Sequence, residues 1–266
     1  MSVSWDPQQY LKFADDRARP FADLLARVAV AQPQRVVDLG CGPGNATATL
    51  PVRWPGAEVH GIDADPAMIE AASALAGPRL SFAREDVRAW RPAEPVDVIV
   101  SNAVLQWVPG HLDLLPGWIE ALRPGGALAF QVPRMSGSPA GRVFSEVAGD
   151  LRWRERLAGV SAPTVAASDN GTVRPTDEYV NLLAGLGCRV DAWETVYYHV
   201  LAGTDPVLEW FGGTGLRPYL DALEPDARAG FRAAVAARLR EEYPSHPFGT
   251  VLPFRRCFVI AYRTEA

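Results

Sequence analysis

Two periods of apolar residues alternate along the first half of the chain. Short segments bearing apolar residues recur at 35–39, 58–63, 79–84, 96–102 and 127–132 and predict strands; the run at 96–102, nearly all apolar, predicts a central strand covered on both faces. Between them apolar residues return at spacings of three and four, which predicts helices packed on those strands. One helix is expected from Pro7, carrying Tyr10, Phe13 and Arg17, and a second over 21–30, opened by Pro20 with Leu24, Leu25 and Val28 inward. Another follows residue 44, with Asn45 and Thr47 as caps and no strong breaker before Pro51. Asp65 and Pro66 open a helix that includes Met68 and Ile69, and a further helix over 112–122 ends at Arg123-Pro124-Gly125-Gly126, a break before the fifth strand. Strands alternating with helices in this way predict a mostly parallel α/β sheet.

Beyond residue 135 the pattern loosens. A helix is expected over 136–159 with Val143, Phe144, Val147 and Leu151 inward, then loop over 160–175 and a helix over 176–186. Residues 190–201 alternate as a strand, with 251–263 as its antiparallel partner. The roughly 45 residues between them are far too many for a hairpin loop, and they read as helices over 206–211, 217–223 and 226–242. The expected organisation is N-terminal lid helices (1–30), a ligand-binding core (31–135), a helical cap insertion (136–175), a core helix and strand (176–203), a second cap insertion (204–248) and a last core strand (249–266). The fold class is α/β, a mostly parallel sheet with one antiparallel strand and a helical cap.

Composition narrows the function. The 266 residues are 48% hydrophobic and 21% charged, as in globular proteins. The net charge of -5 argues against a nucleic-acid backbone as partner. No apolar run approaches the roughly 18 residues of a membrane span, and the N-terminus lacks the basic and apolar regions of a signal peptide. Cys41, Cys188 and Cys257 are odd in number and lack metal-ligand spacing, which fits a reducing cytoplasm. Lys12 is the only lysine, so an anion site here must be built from arginine or histidine.

The candidate chemistry starts at Asp38-Leu39-Gly40-Cys41-Gly42-Pro43-Gly44-Asn45. A strand that runs into glycines at every second position leaves backbone open to a ligand. A dinucleotide turn needs Gly-x-Gly-x-x-Gly; here the sixth position is Asn45, and Asp38 lies where a pyrophosphate would be repelled. An NAD-dependent dehydrogenase is therefore the weaker alternative. Asp38 suits a ligand with positive charge and no phosphate, such as S-adenosyl-L-methionine (SAM). Asp63, 23 residues beyond Gly40, ends the second strand, where a carboxylate can accept both ribose hydroxyls of an adenosine. Strand four ends at Asn102, with Gln106 and Trp107 just beyond, on the sheet edge where ligands bind. Asn102 and Gln106 are read as polar groups exposed to that crevice.

Taken in order, Asp38/Gly40/Gly42/Gly44, Asp63, Asp86, Asn102, the Pro124-Gly125-Gly126 break and the late antiparallel pair resemble the class I SAM-dependent methyltransferases. The resemblance implies a Rossmann-like sheet and SAM as cofactor. It implies a cofactor site of Asp38, Gly40, Gly42, Gly44, Asp63, Ala64, Met68, Asp86, Val87 and Asn102, with Asp86, or Glu85 as the alternative, accepting the adenine amino group. A narrower resemblance is carried by Trp5-Asp6-Pro7-x-x-Tyr10, Arg17-x-Arg19-Pro20, Asn102-Ala103-x-Leu105-Gln106-Trp107, Tyr197-Tyr198-His199 and Thr214-Gly215-Leu216-Arg217-Pro218. It is to the members of that superfamily that methylate a carboxylate of trans-aconitate. It implies a small polycarboxylate as substrate, bound by Trp5, Tyr10, Arg17, Gln106, Trp107, Tyr198, His199, Arg217 and Arg255. No general base and no metal are expected, because a carboxylate nucleophile is already ionised at neutral pH. N- or C-methylation of another small molecule is the alternative within the superfamily, and a SAM-binding module without activity lies outside it.

Overall fold

The structure, a computed structural model, describes residues 14–135, 137–160 and 173–264, with residues 14–17 by backbone alone. Trp5 and Tyr10 lie outside the described residues, as do Phe13 and the side chain of Arg17. Helix α1 (Ala14–Arg27) runs straight through Pro20, so the expected new helix at that proline does not form. Pro20 has no N–H for the carbonyl one turn back. Burial of Phe21, Leu24, Leu25 and Val28 favours continuing the helix across that missing bond.

The chain then enters strand β1 (Arg35–Leu39), helix α2 (Leu50–Arg53), β2 (Glu58–Asp63), α3 (Pro66–Ser73), β3 (Leu80–Arg84) and β4 (Val96–Asn102). Helix α4 (Leu115–Glu120) leads to β5 (Leu122–Pro133), α5 (Pro139–Gly149), α6 (Thr176–Gly185) and β6 (Cys188–Leu201). Helices α7 (Pro206–Gly212), α8 (Arg217–Ala222) and α9 (Pro225–Glu242) precede β7 (Ser245–His246) and β8 (Gly249–Arg263). Among the described residues the strands form one sheet in the order β3-β2-β1-β4-β5-β8-β6, with the short β7 paired to β8. β1, β2, β3, β4 and β5 pair in parallel. β8 runs the opposite way: its Arg255 carbonyl accepts from Arg134 just past the end of β5, and Arg263 reaches the Leu122 carbonyl at the start of β5. Order reverses at β1/β4, the switch point at whose carboxyl edge α/β sheets bind ligands.

Several boundaries depart from the sequence pattern. Pro124-Gly125-Gly126 is a bulge inside β5, not a break before it. Val96 pairs with Leu122 and Val98 with Ala127, Gly125 takes φ +77, and a Cβ at Gly126 would stand 2.8 Å from the Asp97 carbonyl. The expected helix over 136–159 is α5, capped by Ser138 and ended at Gly149. Val143, Phe144 and Val147 are buried as expected, but Leu151 falls past the end and is 76% exposed.

The chain divides into two compact units. One comprises the described residues of Ser4–Val132, Arg174–Glu194 and Cys257–Ala266. Its core holds Val36, Val37, Ile62, Val98, Ile99, Val100, Leu128, Phe130, Trp118, Tyr179 and Phe258. The other comprises the described residues of Pro133–Val173 and Thr195–Arg256, cored by Phe144, Phe211, Tyr219, Phe231 and Phe254.

Candidate functional site

The carboxyl ends of β1, β2 and β4, all within the first unit, carry the candidate cofactor residues. After Leu39 the chain turns through Gly40, Gly42 and Gly44, each in the left-handed region at φ +79, +55 and +81. At Gly40 a Cβ would stand 2.4 Å from the Val104 side chain, so the loop after β4 packs directly on the turn. At Gly42 a Cβ would meet nothing within 4 Å, which leaves that stretch of backbone open to a ligand. Cys41 is buried, and burial pushes its thiol well above the ordinary range, which disfavours the nucleophilic thiolate.

The turn does not lead into the expected capped helix. A 3₁₀ turn (Thr47–Thr49) comes first, and Pro51 sits in the first turn of α2 instead of ending a helix. The Thr47 hydroxyl, expected as a cap, donates to Asp38 Oδ2 at 2.6 Å. Asp38 is 1% exposed, and its Oδ1 accepts no hydrogen bond among the described residues. Burial raises its pKa to about 7, opposed by the Thr47 bond and aided by the Asp63 charge. A buried, half-satisfied acid at the edge of a glycine turn fits a cationic ligand better than a phosphate.

Asp63, at the end of β2, accepts the Gly42 N–H through Oδ2 and the Asp65 N–H through Oδ1, both at 2.9 Å. Burial raises its pKa, while those backbone bonds pull it down. Each oxygen keeps a further lone pair for a ribose hydroxyl. Asp65 in turn caps α3 through the Ala67 N–H at 2.8 Å. Ala64 is exposed beside this edge and Met68 is buried beneath it. Asp86 follows β3, but Arg88 grips it: Nε lies 3.0 Å from both oxygens and Nη2 2.5 Å from Oδ2. The guanidinium holds the Asp86 carboxyl below its usual range, so it remains an anionic acceptor. Val87 beside it is buried.

β4 ends at Asn102, whose Oδ1 accepts from Gln131 Nε2 at 2.5 Å across the strand pair. Ala103 follows at φ 57, the sole non-glycine with positive φ among the described residues, and its N–H is fixed on the Gln131 carbonyl at 2.9 Å. Gln106 is not exposed as expected. It is 5% exposed, with Nε2 donating to the Ala103 carbonyl at 2.6 Å. Trp107 is half-buried. His111, buried, closes the loop: one ring nitrogen lies 2.8 Å from the Tyr179 hydroxyl on α6.

The remaining substrate residues lie in the second unit. Tyr198 and His199 do not share a face, because successive side chains of a strand point oppositely. Tyr198 is 66% exposed, whereas His199 is buried, with Trp210 at 4.4 Å and Phe254 at 6.2 Å between ring centres. On β8 the same alternation exposes Arg255 and buries Arg256, whose guanidinium lies 5.0 Å from the Phe254 ring. Arg217 opens α8, half-buried, with Nε 3.5 Å from Asp221. Its N–H is held by Thr214, which is held by Phe211, and Phe211 packs on Phe254 at 6.0 Å. Gln131 and Arg256 carry no expectation from the sequence, and Thr47 carries one only as a helix cap. Only Arg256 had a readable signal, the alternation Leu252, Phe254, Arg256 along a strand.

A doubly wound sheet reversing at β1/β4, an open glycine turn, a buried acid before it and an adenosine-type acid after β2 define a class I SAM-dependent methyltransferase. S-adenosyl-L-methionine is its cofactor. The comparisons agree: residues 36–126 match the family model for a methyltransferase domain. A trans-aconitate 2-methyltransferase of Streptomyces avermitilis is 51% identical over 98% of this chain and 97% of its own length. One of Methylobacterium nodulans is 47% identical over 99% of this chain and 100% of its own. The chain belongs to the trans-aconitate 2-methyltransferase family. Among solved structures, the YcgJ protein of Bacillus subtilis matches with TM-score 0.61 at 13% identity, covering 93% of this chain and 100% of that one. Phosphoethanolamine N-methyltransferase 2 of Haemonchus contortus, solved with phosphomonomethylethanolamine and S-adenosylhomocysteine, matches with TM-score 0.56 at 15% identity, covering 93% and 53%. At these identities the likeness is one of fold.

Proposed function

We propose that the protein esterifies one carboxylate of trans-aconitate, or of a close di- or tricarboxylate, giving the monomethyl ester and S-adenosylhomocysteine. The observation that carries this reading is likeness to relatives of that name over 98% of the chain, well beyond the methyltransferase-domain match at 36–126. Bound SAM supplies an electrophilic methyl carbon on a positively charged sulfur. The chain's own groups bind and orient. Asp63 accepts the ribose hydroxyls, Asp86 shares its lone pairs with the adenine amino group, Val87 and Met68 give apolar cover, and Asn102 is oriented by Gln131. Asp38 places negative charge beside the open turn. The acceptor carboxylate needs no base, since it is ionised at neutral pH. Rate enhancement then comes from positioning and from desolvation of that carboxylate.

The substrate's other carboxylates require cations, or burial excludes them. Within the second unit this reading uses Arg217 and, in place of the exposed Arg255, the buried Arg256. Incubating the enzyme with SAM and a panel of di- and tricarboxylates, then weighing the products, should yield a trans-aconitate monomethyl ester. Methylation at nitrogen or carbon of another compound, with no ester formed from any polycarboxylate, would overturn the reading.

A further inference from the structure

The family resemblance places Gln106 among the residues that bind the substrate. Its hydrogen bonding points elsewhere. The residue lies in the 3₁₀ turn Leu105–Trp107 that follows β4, and its amide nitrogen donates to the Ala103 carbonyl at 2.6 Å. That partner settles which end of the amide faces which way, because an amide oxygen so close to a carbonyl oxygen would be repelled. The free end of Gln106 is therefore Oε1. It is buried and accepts no hydrogen bond among the described residues. A lone buried acceptor destabilises the protein until a donor reaches it. It repels a carboxylate and attracts a cation.

The backbone bearing this oxygen is held in place. Ala103 is fixed at φ 57, its N–H is bonded to Gln131, and Val104 packs on Gly40. Gln106 thus stands two residues from the side chain that touches the first glycine of the cofactor turn. At neutral pH a polycarboxylate offers no donor, while the cofactor carries two cationic groups.

We infer that Gln106 Oε1 binds the cationic end of the cofactor, its ammonium or its methylsulfonium, and not a carboxylate of the substrate. This rests on the β1/β4 edge being the SAM site, which titration of the wild-type protein with SAM checks separately. Gln106→Met keeps the length of the side chain and removes both polar atoms. Its affinity should be compared with that of wild type for SAM, for S-adenosylhomocysteine, which keeps only the ammonium, and for 5′-methylthioadenosine, which has neither cation. SAM should bind about ten-fold more weakly to the variant, the scale of one lost charge-assisted hydrogen bond, with 5′-methylthioadenosine unchanged. A parallel loss with S-adenosylhomocysteine assigns the ammonium; a loss confined to SAM assigns the methylsulfonium. Unchanged SAM affinity, an equal loss for all three ligands, or an effect confined to the KM of the acceptor would overturn the proposal. A variant that fails to fold leaves a second measurement on the isotope-labelled wild type. Its Gln106 side-chain amide signals should shift with SAM and stay put with 5′-methylthioadenosine, and the same shift with both would also overturn it.

Discussion

Gly42 is tied to Asp63: its backbone N–H donates to Asp63 Oδ2 at 2.9 Å. The acid that ends β2 therefore holds the glycine turn that ends β1. Through its other oxygen it holds the Asp65 N–H at 2.9 Å, at the cap of α3. Asp63→Ala should lower SAM affinity by roughly 1–3 kcal/mol and also lower the melting temperature, since two backbone N–H groups lose their acceptor. Calorimetry with SAM and thermal unfolding measure the two effects. Unchanged affinity would take Asp63 off the ribose.

Gly40 and Gly42 should fail differently. Gly40→Ala combines a left-handed backbone with a Cβ 2.4 Å from Val104, so it should destabilise the fold by about 1–2 kcal/mol or more. Gly42→Ala meets nothing within 4 Å; the fold should bear the change better while SAM binding suffers, because the methyl group occupies the ligand's space. Normal SAM binding by Gly42→Ala would show that no ligand approaches there.

Asp38 gives a pH dependence. Burial raises its pKa from 3.8 to about 7, so between those values the folded state holds a proton that the unfolded chain has lost. This contribution to stability is full below about 3.8 and is lost as pH rises through about 7. Asp38→Asn should therefore raise the stability of the ligand-free protein at pH 8, by roughly 1–3 kcal/mol, and flatten its pH profile. A cationic ligand favours the ionised acid. At pH 6 SAM binding should expel a proton from wild type and none from Asp38→Asn, read as the dependence of binding heat on the ionisation heat of the buffer. Equal proton release by both proteins would clear Asp38 of this role.

The arginines separate by face. Arg217→Ala should cost on the order of 2–4 kcal/mol in kcat/KM for the tricarboxylate, with SAM affinity little changed. Arg256→Lys keeps the charge but loses the planar fork, and it should raise KM for the acceptor. Arg255→Ala, on the exposed face of β8, should change neither. A large effect at Arg255 and none at Arg256 would reverse the assignment.

Local chemistry made much of this protein legible from its sequence. Strands β2 and β4 lie where their β-branched runs placed them, and Asp65 caps α3 as its position before Pro66 implied. The turn after Asp38 carries positive φ at each of its three glycines. These features depend on neighbours within a few residues, so a single sequence displays them. Tertiary structure alone decided the rest. Thr47 turns from helix cap to partner of Asp38 because the acid is buried beside it. Pro20 stays inside α1 because the residues after it bury. The alternation of Tyr198 and His199 was visible, but which of them meets Trp210 and Phe254 depends on the elements packed against β6. The orientation of the Gln106 amide depends on the carbonyl of Ala103, held in a left-handed conformation that nothing in its own side chain favours. A sequence lists donors and acceptors; the fold decides which of them meet and which are left for a ligand.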